Sequence, residues 1–443
     1  MSDAPRDLGH GLILRKARLE DRAALAHFHA TTLVDVGEEV PAARLYYFVL
    51  DLMSGAHPLC RADDFTVVEE TATGRIVSSM VLISQTWTYE GIPFKVGQPD
   101  IVSTVPEYRR RGLVRAQLAE VHRWSAARGE LVQGITGIPW YYRQFGYEMA
   151  LSLDASRGAY RANVPALNDG EAEPFALRPA TTDDLPFIMA MYEQGAGRAL
   201  VATVRDEELW RFDLERRHER NGTSSHIRII ETWERQGPPV GLLVHSRRLW
   251  GTELGVRFCE VRPGVPWLAV ASGMMRALDA TGVEYAARDG GEYQGIVFDL
   301  GETHPLYDTV ADRLPKVGRP YAWYLRVPDL VAFLSHIAPA LEARLAASPQ
   351  GGYNGELTIS FFHSGIRLVF DEGRVAVADW RPDRIEAGDA LFPELSLLPL
   401  VFGFRSLDDM QRAYPDCAVA TDDARALLPI LFPKKDSQVW SGG

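Results

Sequence analysis

The stretch from Ile101 to Leu118 constrains the fold most, because it joins a strand, a basic turn and the start of a helix. β-Branched residues at its beginning predict a strand, and Pro106 ends that strand because it lacks a ladder N–H donor. Apolar spacing from Leu113 onwards predicts a helix. Since the first N–H groups of a helix have no partners within it, we expect Gly112 and its neighbouring arginines to form an anion site there.

This turn differs from the two common nucleotide-binding loops, since it contains neither G-x-x-x-x-G-K-[ST] nor G-x-G-x-x-G. The R-x-x-G-x-small pattern of Arg109, Gly112 and Val114 instead resembles the pyrophosphate loop of the GNAT superfamily of acyl-CoA-dependent N-acetyltransferases. Val114 stands where that loop usually has glycine or alanine. The alternative interpretation of the arginine cluster is a solvated basic face.

A second motif, YYRQFGY at 141–147, follows a predicted buried strand at Leu131–Ile135. It resembles the GNAT segment F-Y-x-x-x-G-[FY], a short helix that packs near the CoA thioester, and Tyr142 holds the tyrosine position before Gly146. The resemblance implies that Tyr142 is the general acid that hydrogen-bonds or protonates the departing thiolate. A packed aromatic cluster is the alternative.

The same resemblance implies acetyl-CoA as co-substrate and assigns its contacts. The pyrophosphate-binding segment, here called the cradle, comprises Arg109, Arg110, Arg111, Gly112, Leu113 and Val114, with Arg115 beside it. The end of the strand before it, Val102, Ser103 and Thr104, is expected to pair with the pantetheine amide, or else to make ordinary ladder bonds. Gly137 and Ile138 are expected to face the other side of the co-substrate.

The beginning of the chain recurs in its second half, which suggests an internal duplication. Arg15 and Asp21 in LILRKARLED recur at the same spacing as Arg178 and Asp184 in ALRPATTDD. The strand-to-helix junction of the second copy, VRPGVPW, lacks the cradle pattern. We therefore expect an α/β (α+β) fold with two tandem GNAT-like mixed-sheet domains: a catalytic domain at 1–160 and a degenerate one at 161–327.

From Pro328 the pattern changes. Apolar spacing from Leu330 to Leu345 predicts one long amphipathic helix, followed by a three-stranded meander and two closing helices. This order resembles the sterol-carrier-protein-like α+β domain of the Eis (enhanced intracellular survival) acetyltransferases, which gives a third domain at 328–443. The resemblance covers nearly the whole chain and implies a hexameric homo-oligomer.

A base is needed because an alkylammonium with a pKa near ~10 is not nucleophilic until it loses a proton. The Eis resemblance assigns this role to the C-terminal carboxylate, here that of Gly443, although the chain ends SGG rather than with an aromatic residue. A frayed terminus is the alternative. Asp35, Glu38 and Glu39 form the acidic cluster closest to where GNAT substrate loops lie, with a solvated surface loop as the alternative.

Composition, cysteine content and net charge limit the expected location and the expected binding partners. The 443 residues are 46% hydrophobic, which gives room for two or three domains, and contain neither a membrane-spanning apolar run nor a secretory signal, so we expect a cytoplasmic protein. Three scattered cysteines without C-x-x-C predict neither disulfides nor a metal site. A net charge of -12 disfavours nucleic acid and favours cationic small molecules.

We therefore expect an acetyl-CoA-dependent N-acetyltransferase that acts on a small-molecule or peptide amine by direct attack on the thioester. Family and charge favour a polyamine, an aminoglycoside-like polycation or a lysine side chain as acceptor. The alternative from another class is a non-catalytic sensor of acyl-CoA or of a lipophilic ligand that uses the third domain.

Overall fold

The computed structural model describes residues 4–34, 39–153, 155–232 and 237–442. Over these ranges the chain forms three sheets with helices packed on them. This mixed α/β architecture confirms the predicted fold class. No helix within the described ranges is long and apolar enough to cross a membrane.

The first part of the chain contains β1 (Arg6–Gly9), β2 (Leu12–Lys16), α1 (Arg22–Thr32), α2 (Ala43–Leu52), β3 (Phe65–Glu70), β4 (Arg75–Tyr89), β5 (Ile92–Thr104), α3 (Leu113–Ala127), β6 (Val132–Ile135), β7 (Glu148–Leu153) and β8 (Ser156–Tyr160). The middle part contains β9 (Phe175–Pro179), α4 (Leu185–Ala196), β10 (Val201–Thr203), α5 (Glu207–Glu215), β11 (Ser225–Thr232), β12 (Pro239–Ser246), β13 (Glu253–Val261), α6 (Trp267–Asp289), β14 (Gly295–Phe298), α7 (Pro305–Thr309), β15 (Lys316–Gly318) and β16 (Tyr321–Arg326).

The last part contains α8 (Leu330–His336), α9 (Ala338–Ala346), β17 (Gly355–Ser360), β18 (Gly365–Asp371), β19 (Arg374–Trp380), β20 (Ala390–Leu391), α10 (Leu398–Val401), α11 (Leu407–Ala413), β21 (Ala418–Val419) and α12 (Asp422–Leu431). The prediction of one helix over 330–345 was wrong. The chain turns at Ile337 between α8 and α9, and Pro339, which has no N–H to donate, lies in the first turn of α9.

Three strands, β8, β10 and β16, are exchanged between the first two sheets. The first sheet has the order β1-β2-β3-β4-β5-β6-β16-β7 with β10 beside β4, and the second has the order β15-β8-β14-β13-β12-β11-β9. β8 thus leaves the first part of the chain to pair with β14, while β16 returns to lie between β6 and β7. These strands cross the predicted domain limits at 160 and 327, so the first two sheets are linked by shared chain.

The two copies of the repeated segment make the same buried ion-pair network. Arg15 bonds Asp21 at 2.7 Å and Glu69 at 2.8 Å, and Arg178 bonds Asp184 at 2.7 Å and Glu231 at 2.9 Å. In each copy the arginine thereby ties the first strand to the turn before the helix and to the next strand. The acidic partners on β3 and β11 were not predicted. This shared network is structural support for the duplication.

The third sheet, β19-β18-β17-β20-β21, shares its apolar core with the tip of the β4–β5 hairpin. Tyr89 of that hairpin packs with Phe333 and Phe402, Phe94 packs with Phe333, and Trp87 packs with Phe94 in the same core. The hydroxyl of Tyr89 donates to the carbonyl of Val401 at 2.7 Å. The last part of the chain is therefore packed directly on the first sheet.

The ion-pair network predicts a pH-dependent loss of stability on substitution of Asp184. Hydrogen bonds from Arg178 hold the pKa of Asp184 below its usual value, so its stabilising effect is complete above the unfolded pKa of about 3.9 and is lost as pH falls through the lower folded pKa. We expect Asp184→Asn to reduce the free energy of unfolding by about 1 kcal/mol at pH 7, because Arg178 is one-third exposed.

Urea titrations at pH 7 and at pH 2.5 measure this effect, and the difference from the unsubstituted chain should shrink at the lower pH. Asp183→Asn is the matched control, because Asp183 is the adjacent, exposed carboxylate. Equal destabilisation by the two substitutions would contradict the role assigned to the network.

Candidate active site

A groove of about 560 Å³ lies at the N-terminal end of α3. It is lined by Thr32, Leu33, Val102, Ser103, Thr104, Tyr108, Arg109, Arg110, Gly112, Leu113, Val114, Arg115, Ile138, Tyr141, Gln144 and Phe145. The residues expected to bind the co-substrate are all in this lining except Arg111 and Gly137. Arg111 packs over the ring of Tyr108, and the carbonyl of Gly137 accepts a hydrogen bond from Tyr321 at 3.1 Å.

The groove lies where two parallel strands separate. β5 and β6 pair at Val96–Val132 and Gly97–Gln133, and no further pairs between them occur in the described chain. The β4–β5 ladder is interrupted by a bulge, and Ile101 within it has a φ of 43°. Because a β-branched residue rarely adopts positive φ, this is a strained position of the kind found next to functional sites.

The cradle is open at the start of α3. Gly112 is the N-cap of the helix, with a φ of 76°, and a Cβ atom placed there would have no heavy atom within 4 Å. Arg109 folds back so that its Nε donates to the carbonyl of Thr104 at 3.2 Å, which joins the cradle to the end of β5. The N–H groups of the first helical turn, the helix dipole and these arginines are features that favour an anion at this position.

Arg115 links the cradle to the aromatic motif. Its guanidinium donates to the side-chain carbonyl of Gln144 at 3.0 Å and lies 4.9 Å from the ring centre of Phe145. Both partners belong to the segment 141–147, whose first five residues form a short 3₁₀ helix. The two sequence motifs are therefore opposite walls of one groove.

A buried polar network fixes α3 against the sheet. The amide of Gln117 donates to the Ser78 hydroxyl at 2.9 Å, and Ser78 hydrogen-bonds Thr104 at 2.7 Å. The Gln117 carbonyl accepts from Thr66 at 3.2 Å. Since Thr104 is the last residue of β5, this network sets the position of the helix N-terminus relative to that strand.

Tyr142 lies behind the groove lining rather than in it. Its side chain is 3% exposed, and its ring packs against Tyr141, Tyr147 and Tyr324. Burial raises the pKa of Tyr142 above its usual value, and the nearby carboxylate of Asp100 adds to this effect. Tyr324 belongs to the exchanged strand β16, so the position of Tyr142 depends on the middle part of the chain.

Asp100 is a functional candidate that the sequence analysis missed. It precedes the strained Ile101, whose backbone N–H donates to its Oδ1 at 2.7 Å, and Gln98 Nε2 donates to its Oδ2 at 2.7 Å. Burial raises the pKa of Asp100, and hydrogen bonds from Ile101, Gln98 and Ser441 oppose that rise. A carboxylate in a strand looks like an ordinary outward-facing position, and the sequence carries no signal for the bulge.

The C-terminal tail reaches this region. Gln98 Nε2 donates to the hydroxyl of Ser441 at 3.0 Å, and the backbone N–H of Gly442 donates to Gln98 Oε1 at 3.0 Å. The ring of Trp440 packs on Tyr192 and Trp210 of the middle part. The tail is therefore bound between the first two sheets up to its last described residue.

The other carboxylates predicted to act as the base or as substrate contacts lie outside the described residues or outside the groove lining. Asp35, Glu38 and Gly443 lie outside the described residues. Glu39 is described and exposed. Its carboxylate is absent from the groove lining given above.

The matching junction of the middle part is built differently. β13 ends at Val261 and α6 begins at Trp267, so the connection is shorter than the 105–112 segment of the first copy and contains two prolines. The carbonyl of Cys259 hydrogen-bonds His304 Nε2 at 3.1 Å. This junction therefore lacks the R-x-x-G-x-small spacing, and the carbonyl of Cys259 is already hydrogen-bonded.

Comparison with known proteins identifies the domain around the groove. Residues 14–150 match the family described as an acetyltransferase (GNAT) domain, which confirms the predicted enzyme class, an N-acetyltransferase of the GNAT type. Acetyl-CoA is the co-substrate of that class. No curated protein sequence matches the chain. In the described residues no group of His, Cys, Asp or Glu side chains could hold a metal ion.

Solved structures share the fold over the whole chain. A GCN5-related N-acetyltransferase from Anabaena variabilis ATCC 29413 is 15% identical with a TM-score of 0.62, covering 97% of this chain and 99% of its own. A probable N-acyltransferase of unknown function from Enterococcus faecalis V583 is 13% identical with a TM-score of 0.64 and the same coverage. Eis1 from Mycobacterium abscessus is 16% identical with a TM-score of 0.57, covering 98% and 99%. These similarities establish a shared fold.

The polar network predicts that Gln117→Leu destabilises the protein. The substitution leaves the buried hydroxyls of Ser78 and Thr66 without their amide partner, so we expect a loss of about 1–3 kcal/mol in the free energy of unfolding. Urea denaturation measures this loss. Gln144→Leu, at an exposed glutamine, is the control and should change stability by less than about 0.5 kcal/mol. Equal stability of the two variants would contradict the role of the network.

Proposed function

We propose that the protein transfers the acetyl group of acetyl-CoA to a primary amine of a cationic substrate, by direct attack of the amine on the thioester. The observation that supports this proposal most strongly is the groove, which joins the open N-terminus of α3, the separation of β5 from β6 and the Tyr142 segment. Holding two reactants in one such site supplies most of the rate enhancement in a transfer of this kind.

The lining of the groove fits the co-substrate. The cradle would hold the pyrophosphate, because Gly112 leaves open space at the helix N-terminus and Arg109 and Arg110 line the same wall. The end of β5 at Val102–Thr104 would face the pantetheine arm. Bound acetyl-CoA supplies an activated acyl carbon and a thiolate leaving group.

Tyr142 is proposed as the hydrogen-bond donor to the leaving sulfur. With its pKa above the ordinary value of about 10, the phenol keeps its proton throughout the working pH range. Such a weak acid gives up the proton only as negative charge develops on sulfur. Its packing against Tyr141, Tyr147 and Tyr324 would hold the hydroxyl in one orientation.

The acceptor is proposed to be a polyamine, an aminoglycoside-like polycation or a lysine side chain, in keeping with the net charge of -12. The Eis resemblance implies the terminal carboxylate of Gly443 as the base, and the tail runs as far as Gly442 beside Gln98. Asp35, Glu38 and Glu39 remain proposed substrate contacts. A hexamer is carried over from the Eis resemblance alone.

The other two parts of the chain are proposed to have supporting roles. The short proline-containing junction and the His304–Cys259 bond support a degenerate GNAT-like domain in the middle. The last part of the chain is proposed to be sterol-carrier-like, and its apolar core contains the hairpin residues Trp87, Tyr89 and Phe94. This packing favours a structural role over the alternative of a lipophilic-ligand sensor.

Binding of acetyl-CoA tests the cradle. Gly112→Glu places a negative charge at the expected pyrophosphate position, so we expect an affinity at least about 100-fold lower in isothermal titration calorimetry. Gly129→Glu is a matched control: Gly129 follows the other end of α3, has a similar φ of 69°, and likewise has no heavy atom within 4 Å of a built Cβ. No binding by the unsubstituted protein, or full binding by Gly112→Glu, would exclude the proposed site.

Thiol release tests Tyr142. With acetyl-CoA and spermidine, kanamycin or Nα-acetyl-lysine amide, we expect Tyr142→Phe to lower kcat about 100-fold while the affinity for acetyl-CoA is retained. Tyr147→Phe removes the hydroxyl of a neighbouring buried tyrosine that bonds His122, and should change kcat only a few-fold. Unchanged kcat in Tyr142→Phe would refute its role. Binding of CoA without thiol release from any amine by the unsubstituted protein would favour the sensor.

A further inference from the structure

Asp100 combines a charge with an enclosed position in the first sheet. The residue is half-buried, and protein atoms surround its carboxyl group. It receives hydrogen bonds from the N–H of Ile101, from Gln98 and from the hydroxyl of Ser441. Three donors on one carboxylate orient both oxygens and stabilise the ionised form.

Within the described part of the chain, no cation forms an ion pair with this carboxylate. Among the described residues, none of the ion pairs formed by lysine, arginine or histidine includes Asp100, whereas the enclosed Asp64, Asp184 and Asp213 each pair with arginine. A buried charge without a counter-charge is costly, and carboxylates of this kind occur mainly where a ligand or a proton completes the site. The missing partner is therefore positively charged.

Asp100 lies between the two parts of the candidate site. Its negative charge acts on Tyr142, and Val102, two residues further along β5, lines the groove. On the other side, its partner Ser441 lines a second cavity of about 630 Å³ between the first two sheets. Trp323 and Asp299 also line that cavity, and aromatic rings and carboxylates are groups that bind ammonium ions. Arg205 and Arg257 line it as well; Arg205 pairs with Asp213 and lies over the ring of Trp440.

We infer that Asp100 is the site that binds the acceptor ammonium and takes its proton, and that the amine enters through the cavity between the first two sheets. This inference rests on the proposed acetyl transfer. It assigns the base to a side chain of β5 and leaves the tail, through Ser441 and Gly442, to position Asp100 and Gln98.

The protons balance in this scheme. Of the three protons on the ammonium nitrogen, one passes to an oxygen of Asp100 and one remains on the product amide. The third replaces the proton that the leaving sulfur takes from Tyr142. The C–N bond forms as the C–S bond breaks, the electron pair of that bond goes to sulfur, and Asp100 then releases its proton to solvent.

Two kinds of acceptor amine distinguish a loss of ammonium binding and proton removal in Asp100→Asn from a structural effect of the substitution. The alkylamine panel of spermidine, kanamycin and Nα-acetyl-lysine amide is largely protonated at pH 7, whereas O-methylhydroxylamine is neutral and needs no base. We expect Asp100→Asn to lower kcat/KM about 100-fold or more for the best alkylamine and less than about 5-fold for O-methylhydroxylamine. Its affinity for acetyl-CoA should change less than twofold. Asp183→Asn, at an exposed carboxylate outside the groove lining, is the charge control.

The following outcomes would each decide whether Asp100 binds the acceptor ammonium and takes its proton. Retention of more than a third of the alkylamine activity by Asp100→Asn, or an equal loss with both kinds of acceptor, would overturn it. If Asp100→Asn loses acetyl-CoA binding, Asp100→Ser is measured against the same criteria. Full loss of activity in a chain ending at Gly442, with Asp100→Asn active, would assign the base to Gly443. Absence of thiol release by the unsubstituted protein would overturn the proposed function itself.

Discussion

The antiparallel pairing of β4 with β5 is the contact on which the remaining architecture depends. The hairpin continues from Tyr89–Ile92 at its tip to Ser78–Thr104 at its far end. Its tip supplies Trp87, Tyr89 and Phe94 to the core of the last part of the chain. Its far end supplies the bulge and the cradle. The same pair of strands therefore packs on the third sheet at one end and leads into the groove at the other.

The candidate site also depends on contacts from the exchanged strand β16 and from the C-terminal tail. β16 brings Tyr324 against Tyr142, and the tail brings Ser441 to Asp100, although both segments lie far from these partners in sequence. Loss of either contact would leave the cradle intact while altering the surroundings of Tyr142 and Asp100, the residues proposed to act in catalysis. Co-substrate binding and catalysis therefore have different structural requirements, which separate measurements of affinity and turnover can resolve.

Local patterns predicted much of the fold. The strands β3–β5, the helix α3 and the β17–β19 meander follow from apolar periodicity and turn residues. The recurrence of Arg15 and Asp21 as Arg178 and Asp184 led to the hypothesis of a duplication. The exchange of β8 and β16 could not be predicted, because a short alternating strand has the same pattern in either sheet. Asp100 was missed since the bulge at Ile101 changes which side chains face the site.

The two copies of the repeat explain why one junction is suited to an anion and the other is not. Both retain the arginine network that holds the first strands together, so selection for folding alone would preserve this much. Only the first adds the 105–112 turn, an open glycine N-cap and an uncompensated carboxylate. Each of these is unfavourable or neutral for folding, because positive φ at Ile101 and a buried charge both cost free energy. Their presence together in the first copy favours the proposed ligand binding over a purely structural role.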